Sequence, residues 1–318
     1  MTVHIVGAYI LDSFMSCRAL PRAGESVAVR SLADSDGGKG ANQAITAARL
    51  EASTRFVGNL GADSAGAHAL TLLHREGIDT SGTIRVPGTD TGRSFILVAD
   101  DARQIVATWP GAADTLTRSD VDRALAGAGA GDVLSIQGEI PLTVSLHAAR
   151  VVPERVTVIC NPSPVEQFRT HPDPWAGIDV LIVNDIEGHD LLATCGLPAP
   201  PAAQIPAALS AHLGIPAVVV THGACGATLF DSETSTHFAA PQVATVDPTG
   251  AGDAFAGAFA ARLSTGASLY HACLTAVTVA SYSVTKRFCA PSYPTRRELE
   301  SWESELAPHS GTRRRRPS

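Results

Sequence analysis

Short apolar runs alternate along the chain with longer segments whose apolar residues recur at helical spacing. The runs Val3–Gly7, Arg55–Val57, Asp132–Ile136, Val156–Cys160, Asp179–Val183 and Ala217–Val220 read as strands buried on both faces. Between them, Gly40–Leu50, Gly66–Glu76 and Leu142–Arg150 carry the helical period. Strand and helix in alternation predict a parallel sheet with right-handed crossovers, covered on both faces, with ligands at the carboxyl ends of the strands. The expected fold class is α/β, a three-layer α/β/α sandwich.

Two stretches break this rhythm. Asp12–Asp34 contains the alternating Glu25-Ser26-Val27-Ala28-Val29-Arg30, and Thr91–Thr108 contains Phe95-Ile96-Leu97-Val98 and Gln104-Ile105-Val106-Ala107. Neither fits a strand–helix–strand unit, and both read as strand and turn. An ordinary hairpin excursion would explain them, but at strand ends a small separate sheet would suit a lid that excludes water. The expected division is a main domain of residues 1–11, 35–90 and 109–318, with a β lid of residues 12–34 and 91–108.

Composition narrows the possibilities. A chain of 318 residues with 45% hydrophobic content can bury a substantial core. A formal net charge of −7 argues against general nucleic-acid binding, and the basic run Arg313–Arg316 reads as a solvated terminus. Six cysteines without Cys-x-x-Cys spacing read as reduced thiols of a cytoplasmic protein. The first apolar run is too short for a signal sequence or a membrane span. Scattered histidines give no zinc pattern.

The chemistry concentrates in Asp247-Pro248-Thr249-Gly250-Ala251-Gly252-Asp253, which runs directly into small and apolar residues at helical spacing. Amides of Gly250, Ala251 and Gly252 at a helix start would form an anion site. A carboxylate at Asp253 would repel a resting phosphate but could accept a proton as phosphate moves, so the pairing points to phosphoryl transfer to a hydroxyl. Gly-Ala-Gly turns also occur as plain caps and close-packing devices. The segment is neither a P-loop nor a dinucleotide fingerprint.

A second motif, Gly37-Gly38-Lys39-Gly40-Ala41-Asn42-Gln43-Ala44, has glycines that would let a substrate lie against backbone. The Asn42 carboxamide can donate to and accept from a hydroxyl. In this order, the two motifs resemble those of the ribokinase family, the PfkB-type carbohydrate kinases. The resemblance extends through Gly7–Asp12, Gly58–Gly66, Gln137-Gly138-Glu139, Asn161–Pro164, Asn184-Asp185-Ile186-Glu187 and Thr221-His222-Gly223-Ala224-Cys225-Gly226.

The resemblance implies a ribokinase-like fold whose main domain binds nucleotide and substrate. The implied reaction is ATP-dependent phosphorylation of a sugar primary hydroxyl, ribose first, giving ribose 5-phosphate. Asp253 would be the base, with Gly250, Ala251 and Gly252 as the anion hole. Asp12, Gly37, Gly38, Lys39, Asn42 and Glu139 would bind sugar, and Asn184, Thr221, Gly223 and Gly226 the nucleotide. Glu187 would serve Mg²⁺ through water. Asp247 and the Thr249 carbonyl would hold K⁺, on condition that Phe288, where ribokinases often have glycine, keeps a negative φ.

Two further departures are Val277, where an asparagine is common near adenine, and Arg93 on the lid. Alternation leaves two faces: Arg93 with Phe95, or Ser94 with Ile96. The resemblance implies that the second faces the sugar. Alternatives are a nucleoside kinase or another sugar kinase on this scaffold, and a catalytically silent sugar- or nucleotide-binding protein. The lid's exposed edges could pair two copies into a homodimer.

Overall fold

In chain order the strands are β1 Thr2–Val6, β2 Ile10–Cys17, β3 Val29–Gly37, β4 Ser53–Gly61, β5 Asp79–Val86, β6 Thr91–Ala99, β7 Gln104–Gly111, β8 Val133–Gln137, β9 Thr157–Asn161, β10 Val180–Asn184, β11 Ala217–Thr221, β12 Ala227–Asp231 and β13 Thr234–Phe238. The computed structural model describes residues 1–101, 103–197 and 200–306. The basic run Arg313–Arg316 lies outside the described residues.

A 9-stranded sheet runs in the order β13-β12-β11-β10-β9-β8-β1-β4-β5. The six apolar runs read from sequence correspond to β1, β4, β8, β9, β10 and β11, which pair in parallel. The expected all-parallel sheet is corrected at one edge, where β12 and β13 form an antiparallel hairpin on β11. Burial on both faces explains the runs: Val3 and Ile5 of β1 enter one apolar core, and Val6 enters the other.

The first core contains the helix Ala251–Ser264, which is buried on nearly every side. Its alanines and glycines let neighbouring backbones close in. A Cβ at Gly257 would lie 2.5 Å from the Gln43 carbonyl oxygen of the helix Lys39–Arg49. Phe255 and Phe259 fill the remaining space, each worth ~1.5–3 kcal/mol of apolar burial.

The second sheet is small and separate, in the order β3-β2-β6-β7. The register Asp12↔Ser94 and Phe14↔Ile96 puts these four side chains on one face, leaving Ser13, Arg93 and Phe95 on the other. Strand character expected from Glu25 begins only at Val29. Val29 pairs with Cys17, the last residue of β2, so residues 25–28 have no partner strand there.

Candidate active site

Two helices start beside each other, and both are capped by a glycine in the left-handed region without a side-chain cap. Gly38, φ 84°, precedes Lys39–Arg49, and Gly250, φ 78°, precedes Ala251–Ser264. At the first, the close approach is by the chain's own turn. A Cβ on Gly38 would sit 2.5 Å from the Ile10 nitrogen, and one on Gly37 2.1 Å from Asp12 Oδ2. The chain's own turn therefore already requires glycine at both positions.

The helix at Lys39 has its anion already in place, because its backbone N–H donates to Glu139 Oε2 at 2.6 Å. The helix at Ala251 differs. The Ala251 N–H donates to the Pro248 carbonyl at 3.2 Å, which corrects its expected place in the anion hole. Among the described residues, the N–H groups of Gly250, Gly252 and Asp253 have no hydrogen-bond partner. Under Gly250, Tyr293 Oη donates to the Gly250 carbonyl at 3.3 Å.

Asp253 is buried in the first turn of its helix and accepts from Asn42 Nδ2 at 2.9 Å. Asn42, expected on a sugar hydroxyl, therefore spends its amide on this carboxylate. Its buried Oδ1 has no partner.

Burial pushes the Asp12 carboxyl up to about 6; Ser94, which hydrogen-bonds it, pulls it down, and Asp253 raises it. Burial also pushes Glu139 up to about 7, against the attraction of Lys39 and with the repulsion of Asp253. For Lys39, burial favours the neutral amine, but the charges of Asp253, Glu139 and Glu187 outweigh it and hold the ammonium well above the usual range. Three acids from distant segments thus act on one cation.

Lys39, Asn184, Glu187, Gly250, Gly252 and Asp253 line a cavity of about 200 Å³. A neighbouring cavity of about 330 Å³ is lined by Thr221, Gly223, Gly226, Val243, Val277 and Val284, among others. Asn184, Thr221, Pro248, Ala251 and Gly252 belong to both walls. Gly226, φ 99°, is indispensable to the turn, since a Cβ there would meet the Phe238 carbonyl at 1.9 Å. Asn161 and Ser163 also line the smaller cavity; their segment was matched in sequence without a role.

Glu187 caps its helix reciprocally with Asn184: Asn184 N–H donates to Oε2 at 3.0 Å, and Glu187 N–H donates to Asn184 Oδ1 at 2.9 Å. No group of three His, Cys, Asp or Glu among the described residues could enclose a metal ion. One carboxylate with Oε1 unengaged fits a Mg²⁺ that arrives on phosphates with its own waters.

The K⁺ expectation fails its condition. Phe288 has φ 66°, a conformation that costs a non-glycine residue ~1–3 kcal/mol. Packing on Phe14, with ring centroids 5.5 Å apart, holds it there. Both Asp247 oxygens are used, Oδ1 by the Thr249 N–H and Oδ2 by the Phe288 N–H, each at 3.0 Å. Burial alone would raise this carboxyl, but these bonds and the Arg287 charge hold it below the usual range. Asp247 ties two loops together.

The family described as pfkB family carbohydrate kinase matches residues 3–296. A ribokinase of Haemophilus influenzae is 30% identical over 298 residues, which are 93% of this chain and 96% of the relative. The solved structure of Thermotoga maritima ribokinase matches with a TM-score of 0.85 at 30% identity, over 96% of this chain and 99% of that one. Arabidopsis thaliana ribokinase complexed with ribose and ATP matches with a TM-score of 0.81 at 29% identity, over 94% of this chain and 97% of that one.

Proposed function

Because the chain belongs to the pfkB family of carbohydrate kinases, we propose that it transfers the γ-phosphoryl group of ATP to the primary hydroxyl of ribose, giving ribose 5-phosphate and ADP. The observation that carries this reading is Asp253, a buried carboxylate in the open first turn of Ala251–Ser264, lining a cavity that adjoins the apolar one. The likeness to a ribokinase complexed with ribose and ATP supports the same acceptor and donor.

In this mechanism the sugar hydroxyl attacks the γ-phosphorus while Asp253 accepts its proton, and the electrons of the breaking P–O bond leave with ADP. Asn42 holds one Asp253 oxygen and leaves the other for the hydroxyl. Asp12 and Glu139, ionised, accept from the remaining sugar hydroxyls. The Gly250 and Gly252 amides and the Lys39 ammonium stabilise charge on the moving phosphoryl group, since positioning and electrostatics supply most of the acceleration in this chemistry. Lys39, grouped in sequence with the sugar contacts, is assigned here to the phosphoryl side because it lines the same cavity as Asn184, Glu187 and Gly252. Mg²⁺ carried on the phosphates near Glu187 would supply further neutralisation of charge.

A nucleoside acceptor is the second reading, favoured by Phe14. Its ring shares a sheet face with Asp12 and offers an aromatic surface on that side. A homodimer belongs to the first reading: Leu32, Phe95, Ile105 and Trp109 lie exposed on the opposite face, where a second copy would cover them.

A coupled ADP-release assay across pentoses, hexoses and nucleosides, with mass spectrometry of the product, tests the proposal. Ribose should give the highest kcat/KM and a singly phosphorylated pentose. Preference for a nucleoside would select the second reading, and absence of turnover with any acceptor would overturn both.

A further inference from the structure

β10 and β11 end together, at the register pair Asn184↔Thr221. Beyond it the chains part, one into the helix Asp185–Thr194 and the other into the turn His222–Gly226. The fork opens where the two cavities share a wall, because Asn184 and Thr221 line both. No ladder bond holds it past that pair.

The first residues beyond the fork close it with side chains. His222 Nδ1 lies 2.7 Å from Asp185 Oδ1, and Nε2 lies 2.9 Å from Thr228 Oγ1 of β12. Thr228 Oγ1 is in turn 3.2 Å from His237 Nδ1 of β13. The protons follow from the chemistry of the partners. A carboxylate only accepts, so Nδ1 carries the hydrogen toward Asp185. With a neutral His222 ring, Nε2 accepts from the Thr228 hydroxyl, whose oxygen can accept from His237. The His222 side chain is 9% exposed and contributes to neither cavity.

A partly buried histidine with both ring nitrogens engaged, which lines neither cavity yet joins the two elements forming their common wall, acts on the ligand through those elements. We propose that His222 and Asp185 are a positioning pair for the phosphoryl donor. Their hydrogen bond fixes Asn184 and Glu187 against the Thr221–Gly226 turn, so that a nucleotide seated on the turn presents its phosphates to the open helix start at Gly250. This rests on the kinase reading for its ligand but on separate residues for its evidence.

The test is the split between the two substrates in the full-length protein. Removing a hydrogen bond to a charged group should raise the KM for ATP about 10-fold in His222→Ala and in Asp185→Ala. The KM for ribose should stay within about 2-fold. Asp185→Asn keeps an acceptor oxygen for Nδ1–H and should recover most of the loss. The double variant should be no worse than either single one, because the two residues form one contact. Calorimetric titration with ADP and Mg²⁺ should show the same weakening without any turnover, so a failed kinase assay and a failed brace are distinguishable. Equal changes in both KM values that track a lowered Tm, or unchanged nucleotide affinity in Asp185→Ala, would overturn the proposal.

Discussion

The helices beginning at Lys39 and at Ala251 start alike and are used differently. Each follows a left-handed glycine, each lacks a side-chain cap, and the two pack against each other through Gly257. At Lys39 the positive end is answered from within by Glu139. At Ala251, Gly250 and Gly252 keep unpartnered donors beside a carboxylate. Among the described residues, both starts leave glycine amides without a partner, Gly38 and Gly40 at the first and Gly250 and Gly252 at the second; the Glu139 carboxylate on the first disfavours an incoming anion there, whereas Gly250 and Gly252 line a cavity with Asp253. Both caps are glycines at positive φ, with ψ 130° at Gly38 and 1° at Gly250, so the two starts differ in cap geometry as well as in what faces each end.

The largest effect that would break this comparison is at Asp253. Asp253→Asn keeps the shape, removes the proposed base, and should cost on the order of 10²–10⁴ in kcat, with ribose and ATP still bound in calorimetric titrations. Near-normal turnover would remove Asp253 from the mechanism.

Alanine at the two glycine caps sharpens the contrast. Gly38→Ala puts a Cβ 2.5 Å from backbone at Ile10, which cannot step aside. Gly250→Ala meets Tyr293 Oη at 2.5 Å and Cys289 Sγ at 2.8 Å, both side-chain atoms. Each also suffers ~1–3 kcal/mol of backbone strain at its φ. Thermal melts and kinetics should therefore separate them: Gly38→Ala loses more stability, and Gly250→Ala loses more kcat than its Tm explains. Equal Tm losses would contradict the distinction.

The acceptor side should show its partly buried carboxylates in the pH profile. Asp12 is raised from 3.8 to about 6 and Glu139 from 4.5 to about 7. Protonation removes sugar-accepting lone pairs, so kcat/KM for ribose should fall as pH drops through 7 and further through 6. Stability runs the other way. A folded chain that binds these protons more tightly than the unfolded one is most stable below the unfolded values, and that stability is lost as pH rises through 7. Glu139→Gln should flatten the upper part of both curves, and an unchanged pair of curves would place Glu139 outside the acceptor site.

The smallest effect belongs to Arg93, which donates to Ser13 Oγ at 3.0 Å and lies 3.8 Å from Asp34. Its face is opposite Asp12 and Ser94. Arg93→Ala should leave the KM for ribose within about 2-fold, as expected of a partly exposed ion pair. A large rise would show that this face meets the substrate.

Much of the frame was readable in the sequence because buried parallel strands are short, apolar and separated by helical period. The hairpin β12–β13 was not, for a local reason: its turn places Ser232 and Glu233 at positive φ, without the glycine or asparagine that usually marks such a turn. Asp253 could be read from its own segment, since a carboxylate beside a glycine-rich helix start is a local pattern. The partnerships around it could not. Asn42 meets Asp253 across 211 residues and Lys39 meets Glu139 across 100. The glycines of Gly37–Gly40 could not be tied to their packing partners from sequence, because the turn that packs on them follows β1, far up the chain. His222 carried no signal of its own, because its meaning lies in the fork between β10 and β11.

Amide hydrogen exchange, resolved residue by residue by NMR, compares the two helix starts directly. In the free protein the Lys39 amide should already be protected and the Gly250 and Gly252 amides should exchange rapidly. Addition of ribose, Mg²⁺ and a non-hydrolysable ATP analogue should slow Gly250 and Gly252 while leaving Lys39 little changed. Slowing at Lys39 with no change at Gly250 and Gly252 would show that the phosphates bind at the wrong helix for this account.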